Sequence, residues 1–94
     1  MTKAEVVNEI VRSTGLEREA VLQTVEQFMS VVKDSLANGE NVYLRGFGTF
    51  AIKRRAEKTA RNITKGETVI VPAHNIPFFK PSPDFKEMLV DTNE

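Results

Sequence analysis

Six cations, Lys53, Arg54, Arg55, Lys58, Arg61 and Lys65, fall within thirteen residues against a single acid, Glu57. Fixed positive charge at that density has a clear chemical use, which is to hold a polyanion through its phosphates. A solvated loop whose charges only aid solubility is the plain alternative. The run ends in Arg61-Asn62-Ile63-Thr64-Lys65-Gly66, where Asn and Gly are turn residues. Ile63 sits at the tip of that turn with no amphipathic pattern around it to bury it.

The rest of the chain offers little for catalysis. There is no cysteine, no Ser/His/acid set in plausible proximity, and only one histidine, His74, which cannot hold a metal by itself. His74 reads as a surface or sheet-end residue. Gly46-Phe47-Gly48 lacks the third glycine of a phosphate loop, and strand-like rather than helical sequence follows it. The expectation is therefore a non-enzymatic protein with no cofactor, no metal and no small-molecule substrate.

The formal charge of the 94-residue chain is zero, which by itself argues against a nucleic-acid binder. Its distribution argues the other way. Residues 1–40 hold four Lys/Arg and seven Asp/Glu, and residues 81–94 hold one and four. Residues 45–80 hold eight and two, a net of +6. A polyanion meets the local field of that centre rather than the total. No apolar run approaches a membrane span, and the opening MTKAEVVNEI lacks the uninterrupted apolar core of a signal peptide. A soluble cytoplasmic protein without membrane contact is expected.

The elements that would position the cations follow from periodicity. Thr2 and Glu5 form a capping box, Val7, Ile10 and Val11 follow helical spacing, and Gly15 supplies a stop. A second helix runs from about residue 18 to Asn38-Gly39, with Val21, Val25, Phe28, Val32 and Leu36 as its stripe and Leu22 and Met29 widening it. The two make a helical hairpin with one apolar seam. Asn41-Val42-Tyr43-Leu44 is a short strand, Gly46 to Phe50 a tight turn flanked by aromatics, and Phe50 and Ile52 share one strand face. A long β-hairpin is expected, outward from Phe50 to about Lys65 and back from Gly66 to His74. Its outer half has almost nothing apolar to pack, and a lone two-stranded ribbon is marginal in water. Ser82-Pro83 opens a last helix, with Phe85, Met88 and Leu89 as its apolar face and an end near Val90. Nine or so residues would be marginal as a free helix, so it must dock. Residues 91–94 are expected to fray. The fold class is α+β: an N-terminal helical hairpin, a three-stranded antiparallel sheet with a long β-ribbon arm, and a short C-terminal helix. A chain this small, with part of it projecting, leaves a body near the lower size limit for a self-sufficient core, so oligomerisation is a plausible source of stability.

Gly46-Phe47-Gly48-Thr49-Phe50, then a basic arm with Arg61-Asn62 and Gly66, then Ile76-Pro77-x-Phe79-Lys80, resembles the bacterial histone-like HU and integration host factor family. The resemblance spans essentially all 94 residues without a gap between landmarks. It implies one domain: residues 1–40 as a helical dimerisation base, 41–81 as sheet and β-arm with its tip near 61–66, and 82–94 as C-terminal helix and tail. It further implies an intertwined dimer with itself or a close paralogue, whose two arms enter the minor groove of double-stranded DNA, with bent or distorted DNA favoured. Phe28, Phe47, Phe50 and Phe79 would form a shared aromatic dimer core. The DNA-binding positions carried over are Lys53, Arg55, Lys58 and Arg61 along the arm, with Arg54 and Lys65 adding charge there. Asn62, Ile63 and Thr64 stand at the tip, and Lys3, Lys80 and Lys86 on the flanks of the body. Free N–H groups at the Ser82 end of the last helix are a further phosphate contact, opposed by Asp84. Where the family has an intercalating proline, this chain has Ile63, and Ala60 stands where glycine is common. Isoleucine is among the apolar wedges that minor-groove proteins insert between base pairs. It retains an N–H and a freer φ than proline, so the tip should be less rigid.

The function so implied is architectural: binding and bending duplex DNA with little sequence specificity and helping to compact the nucleoid. The acidic helices and zero net charge depart from a family that is usually basic, and favour distorted over straight duplex. Two alternatives stay open. One is a site-specific bending factor of the integration host factor type, and the other a dimeric interaction module whose basic arm binds RNA or an acidic protein.

Overall fold

The structure is a computed structural model and describes residues 1–62 and 66–90. The chain divides into two compact units, residues 1–35 and 36–94, so the division falls inside the second helix, ahead of the boundary near residue 40.

The first unit is the helical one. Helix α1 spans Lys3–Thr14, and α2 spans Arg18–Ala37. Thr2 caps α1, its Oγ1 accepting from the Glu5 amide at 3.3 Å and donating to Glu5 Oε1 at 3.2 Å. The glutamate thus closes the capping box on the threonine hydroxyl. At the other end the Gly15 amide donates to Val11 O at 2.8 Å, the predicted stop. Arg18 Nε reaches Asn8 Oδ1 at 3.1 Å and Lys3 Nζ reaches Glu26 Oε1 at 2.9 Å, two polar links between the helices. Val7, Val21 and Val32 are the buried apolar side chains, whereas Phe28 and Met29, on the expected seam, stay exposed.

The second unit is built of β1 (Val42–Leu44), β2 (Gly48–Arg55), β3 (Lys58–Asn62), β4 (Glu67–Val71), β5 (His74–Pro81) and the short helix α3 (Pro83–Glu87). Strands β1, β2 and β5 form an antiparallel sheet in the order β1-β2-β5. Strands β3 and β4 pair as a separate two-stranded ribbon. The expected continuous hairpin is therefore interrupted on both sides, at Ala56-Glu57 and at Pro72-Ala73. Pro72 cannot donate to a ladder, which accounts for the break on the return strand.

Two glycines set the corner between β1 and β2. Gly46 takes φ 81 in a turn closed by the Phe47 amide on Leu44 O at 3.0 Å, a backbone angle that favours glycine. At Gly48 a Cβ would stand 2.6 Å from both Lys80 O and the Phe79 ring, so only glycine lets β5 approach.

The last helix is shorter than its sequence pattern suggests. Five residues are helical, and Met88 and Leu89, expected on its buried face, are 81% and 77% exposed. Phe85 alone of the three packs, which is enough to dock a single turn and a half. The amides of Leu89 and Val90 donate to Lys86 O and Glu87 O, a tighter pattern than the α-helix, and the helical run does not continue. The tail from 91 to 94 lies outside the described residues.

Candidate nucleic-acid interface

Alternation along β2 sorts the cations. Residues opposite one another in an antiparallel pair share a face, and successive residues on one strand oppose it. Phe50 pairs with Phe79 and Ile52 with Pro77 on one face, while Thr49 pairs with Lys80, Ala51 with Phe78 and Lys53 with Ile76 on the other. The first face carries an aromatic cluster. The Phe50 and Phe79 centroids lie 4.9 Å apart, Phe47 and Phe79 5.0 Å, and Phe47 stacks on Phe85 at 5.6 Å and 15°. Of the residues expected in a shared aromatic core, Phe47, Phe50 and Phe79 thus meet within one chain. Phe85 is the member that sequence reasoning left out of that core, although its place on the last helix was read. Phe28 belongs to the other unit.

With that face occupied by phenylalanines, Lys53 and Arg55 project from the opposite, outer face of β2 with Lys80 of β5, all exposed. Lys53 Nζ sits 4.9 Å from the Phe78 ring centroid, a cation–π contact that holds the ammonium over the sheet. Arg54 has the opposite parity and donates through Nη1 to Asn75 Oδ1 at 3.3 Å. The clustered Lys53-Arg54-Arg55 is therefore split between two faces, and Arg54 is separated from the pair that lines the outer one.

Beyond the break, Lys58 pairs with Val71, Ala60 with Val69, Arg61 with Thr68 and Asn62 with Glu67. Lys58 is exposed, and so are Val69 and Ile70 on the return strand. Arg61 and Asn62 end the outbound strand at its far end, where the arm tip was expected. The tip residues Ile63, Thr64 and Lys65 lie outside the described residues. Gly66, with φ 67, stands in the turn that leads back into β4.

The remaining candidates are spread more widely. Lys86 is exposed on α3. Lys3 is in the helical unit and already holds an ion pair with Glu26 at 2.9 Å, so it would have to exchange that carboxylate for a phosphate. The expectation for Ser82 is corrected by its hydrogen bonds. Its amide donates to Phe47 O at 2.9 Å, its Oγ donates to Gly46 O at 3.0 Å, and the same Oγ accepts from the Phe85 amide at 3.1 Å. Pro83 has no N–H, so the donors expected for a phosphate are mostly spent on clipping α3 to the β1–β2 corner. Arg45 is a further cation near Lys80, outside the arm. It lines an open groove of about 400 Å³ together with Lys80 and Tyr43, and its place at a turn, off the arm, is why charge clustering did not single it out. His74 Nδ1 lies 2.9 Å from Pro72 O at the start of β5, a sheet-end position.

Among the described residues no helix is long and apolar enough to cross a membrane, and no three His, Cys, Asp or Glu gather as a metal site.

The family model for bacterial DNA-binding proteins matches residues 1–90. The chain is 36% identical over 87 residues to DNA-binding protein HU of Thermus thermophilus, covering 93% of this chain and 90% of that protein. It is 37% identical over 93 residues to the integration host factor subunit beta of Marinobacter nauticus, covering 98% and 95%. In fold it is similar to Anabaena HU, solved as a cocrystal with DNA, with a TM-score of 0.90, 24% identity, and 95% and 97% of the two chains covered.

Proposed function

Because this chain belongs to the bacterial DNA-binding protein family that includes HU and integration host factor, we propose that it is an architectural DNA-binding protein that bends duplex DNA between two β-arms. The observation that carries this reading is the ribbon of β3 and β4. It lies beyond the sheet with Lys58, Val69 and Ile70 exposed and Arg61 in its outbound strand, and with no apolar layer of its own, so its stable state is one in which a polyanion covers it.

Phosphates neutralised by Lys53, Arg55, Lys58 and Arg61 supply most of the affinity. With two arms these make eight contacts, and log K should fall against log salt with a slope of about −7. A slope near zero would remove the mechanism. The bend itself costs roughly 1–6 kcal/mol, which the wrapped contacts and a wedge at Ile63 offset. Asn62 before the tip reaches the groove floor, and Lys80 and Lys86 meet the flanking DNA where it returns to the body. Family proteins are non-enzymatic, and association with the nucleoid follows from this role.

Dimerisation is the second part of the reading. Among the described residues Val7, Val21 and Val32 are the buried apolar side chains, while Phe28 and Val31 on α2 stay exposed beside an open groove of about 560 Å³. A body with so little closed core gains stability from a second copy laid on that helix.

Energy-transfer measurement of DNA bending by the wild type, Ile63→Ala and Ile63→Pro tests the wedge. Reduced bending with retained binding in Ile63→Ala is expected, and equal bending would rule the wedge out. A site-specific factor is the second reading, favoured by the near-equal identity to HU and to an integration host factor subunit, 36% and 37%. Selection from random duplexes separates the two, since a recovered consensus supports the site-specific one.

A further inference from the structure

Tyr43 pairs with Thr49 and Thr49 with Lys80, so the three form one row across the outer face of the sheet. The neighbouring row holds Ala51 and Phe78, and the next Lys53 and Ile76. Two rings on this face meet solvent, Tyr43 at 75% exposure and Phe78 at 41%. The aromatic cluster of the sheet is on the opposite face, so neither ring belongs to it. Strands β1, β2 and β5 contain no acidic residue. Lys53 stands over Phe78, and Tyr43 shares its groove with Lys80 and Arg45. The face therefore combines an open π-surface at Tyr43, and one at Phe78 that Lys53 partly covers, with positive charge and no acid in its strands.

That combination has a specific chemical match. Aromatic rings stack on nucleobases whose faces are free, and interleaved cations take the phosphates between them. Bases inside a duplex already stack on their neighbours and offer no free face. Tyr43 and Phe78 are two strands and one side-chain row apart, on the order of 12 Å from the usual sheet spacings. They are too distant to sandwich one base, but each can take a separate base of one strand.

We propose that the outer sheet face binds unpaired bases of a DNA strand, with Tyr43 and Phe78 each stacking on one base and Lys53 and Lys80 holding the intervening phosphates. The proposal rests on the reading of the arms as duplex binders and deepens it: where pairing is lost, Lys53 and Lys80, phosphate contacts in that reading, hold the phosphates of the unpaired strand while its bases turn onto Tyr43 and Phe78. The charge of the face selects a polyanion, and the arms that deliver DNA to it make a deoxyribose strand the occupant.

The chain contains one tyrosine and no tryptophan, so tyrosine emission reports Tyr43 alone. Titration of the full chain with single-stranded oligo(dT) should quench that emission, and an intact duplex of equal length should leave it largely unchanged. Tyr43→Ala and Phe78→Ala should each weaken oligonucleotide binding by about fivefold or more while duplex affinity stays within about twofold. Tyr43→Phe and Phe78→Tyr, which keep the ring, should bind as the wild type does. Bound oligonucleotide with unquenched Tyr43, or an equal loss of duplex and single-strand affinity in the alanine variants, would overturn the proposal. Tighter binding of a ribo-oligomer of matching sequence would overturn the assignment to DNA. If single strands fail and duplex binding persists, only this proposal falls, whereas loss of duplex binding by the wild type would sink the reading of the arms.

Discussion

The three-stranded sheet and the ribbon beyond it use the same antiparallel ladder, yet they are held in different ways. In the sheet, β2 and β5 pair through eight residues, and one face of that ladder is covered by Phe47, Phe50, Phe79 and Phe85. In the ribbon, β3 and β4 pair through five residues, and Val69 and Ile70 are exposed. Backbone hydrogen bonds alone give a two-stranded ribbon marginal stability, because water competes for each of them. Contact between aromatic side chains makes the difference between a platform and an arm.

Substitutions should separate the two regions sharply. Phe79→Ala removes a ring that touches Phe47, Phe50 and Phe85, and should cost about 3 kcal/mol in urea unfolding. The matching change in the ribbon, Ile70→Ala, should cost about 0.5 kcal/mol or less, since no packed neighbour is lost. A comparable cost for the two would break the comparison. Gly48→Ala comes next. Its Cβ would meet the Lys80 carbonyl and the Phe79 ring at 2.6 Å, and the overpacking should cost about 2 kcal/mol by the same measurement.

Ser82→Ala removes both the helix cap and the bond to Gly46 O, and a loss of about 1 kcal/mol is expected. The smallest stability effect belongs to the arm's charges. Lys58→Gln should leave the unfolding midpoint in place and flatten the salt dependence of DNA binding by about 0.9 per arm. A shifted midpoint would mean that the ribbon contributes to the folded body after all.

These contrasts show which features were legible in the sequence. Helical caps at Thr2 and Gly15, the corner at Gly46 to Gly48 and the cap at Ser82 were legible because each depends on a few adjacent residues with a defined backbone need. The break of the long hairpin was not, although Pro72 marked half of it, because the outbound side at Ala56-Glu57 has no local breaker. The length of the last helix was overestimated, since Met88 and Leu89 have helical spacing but nothing to pack against. Lys3 looked like any other basic residue, and its engagement with Glu26 depends on a partner twenty-three positions away. The split of Lys53 and Arg55 from Arg54 was latent in strand alternation, but which side faces outward depends on where the phenylalanines pack.

By itself the sequence determined the order of elements, the basic centre between acidic ends and the position of the arm, because periodicity, turn residues and charge placement act over a few residues. It also carried the family motif from Gly46 to Lys80. Tertiary structure alone decided which face of the sheet carries the aromatic cluster, that Phe85 closes it, and that Tyr43 and Phe78 are left in solvent beside Lys80 and Lys53. Those outcomes depend on strand register, and register is set by contacts between residues far apart in the chain.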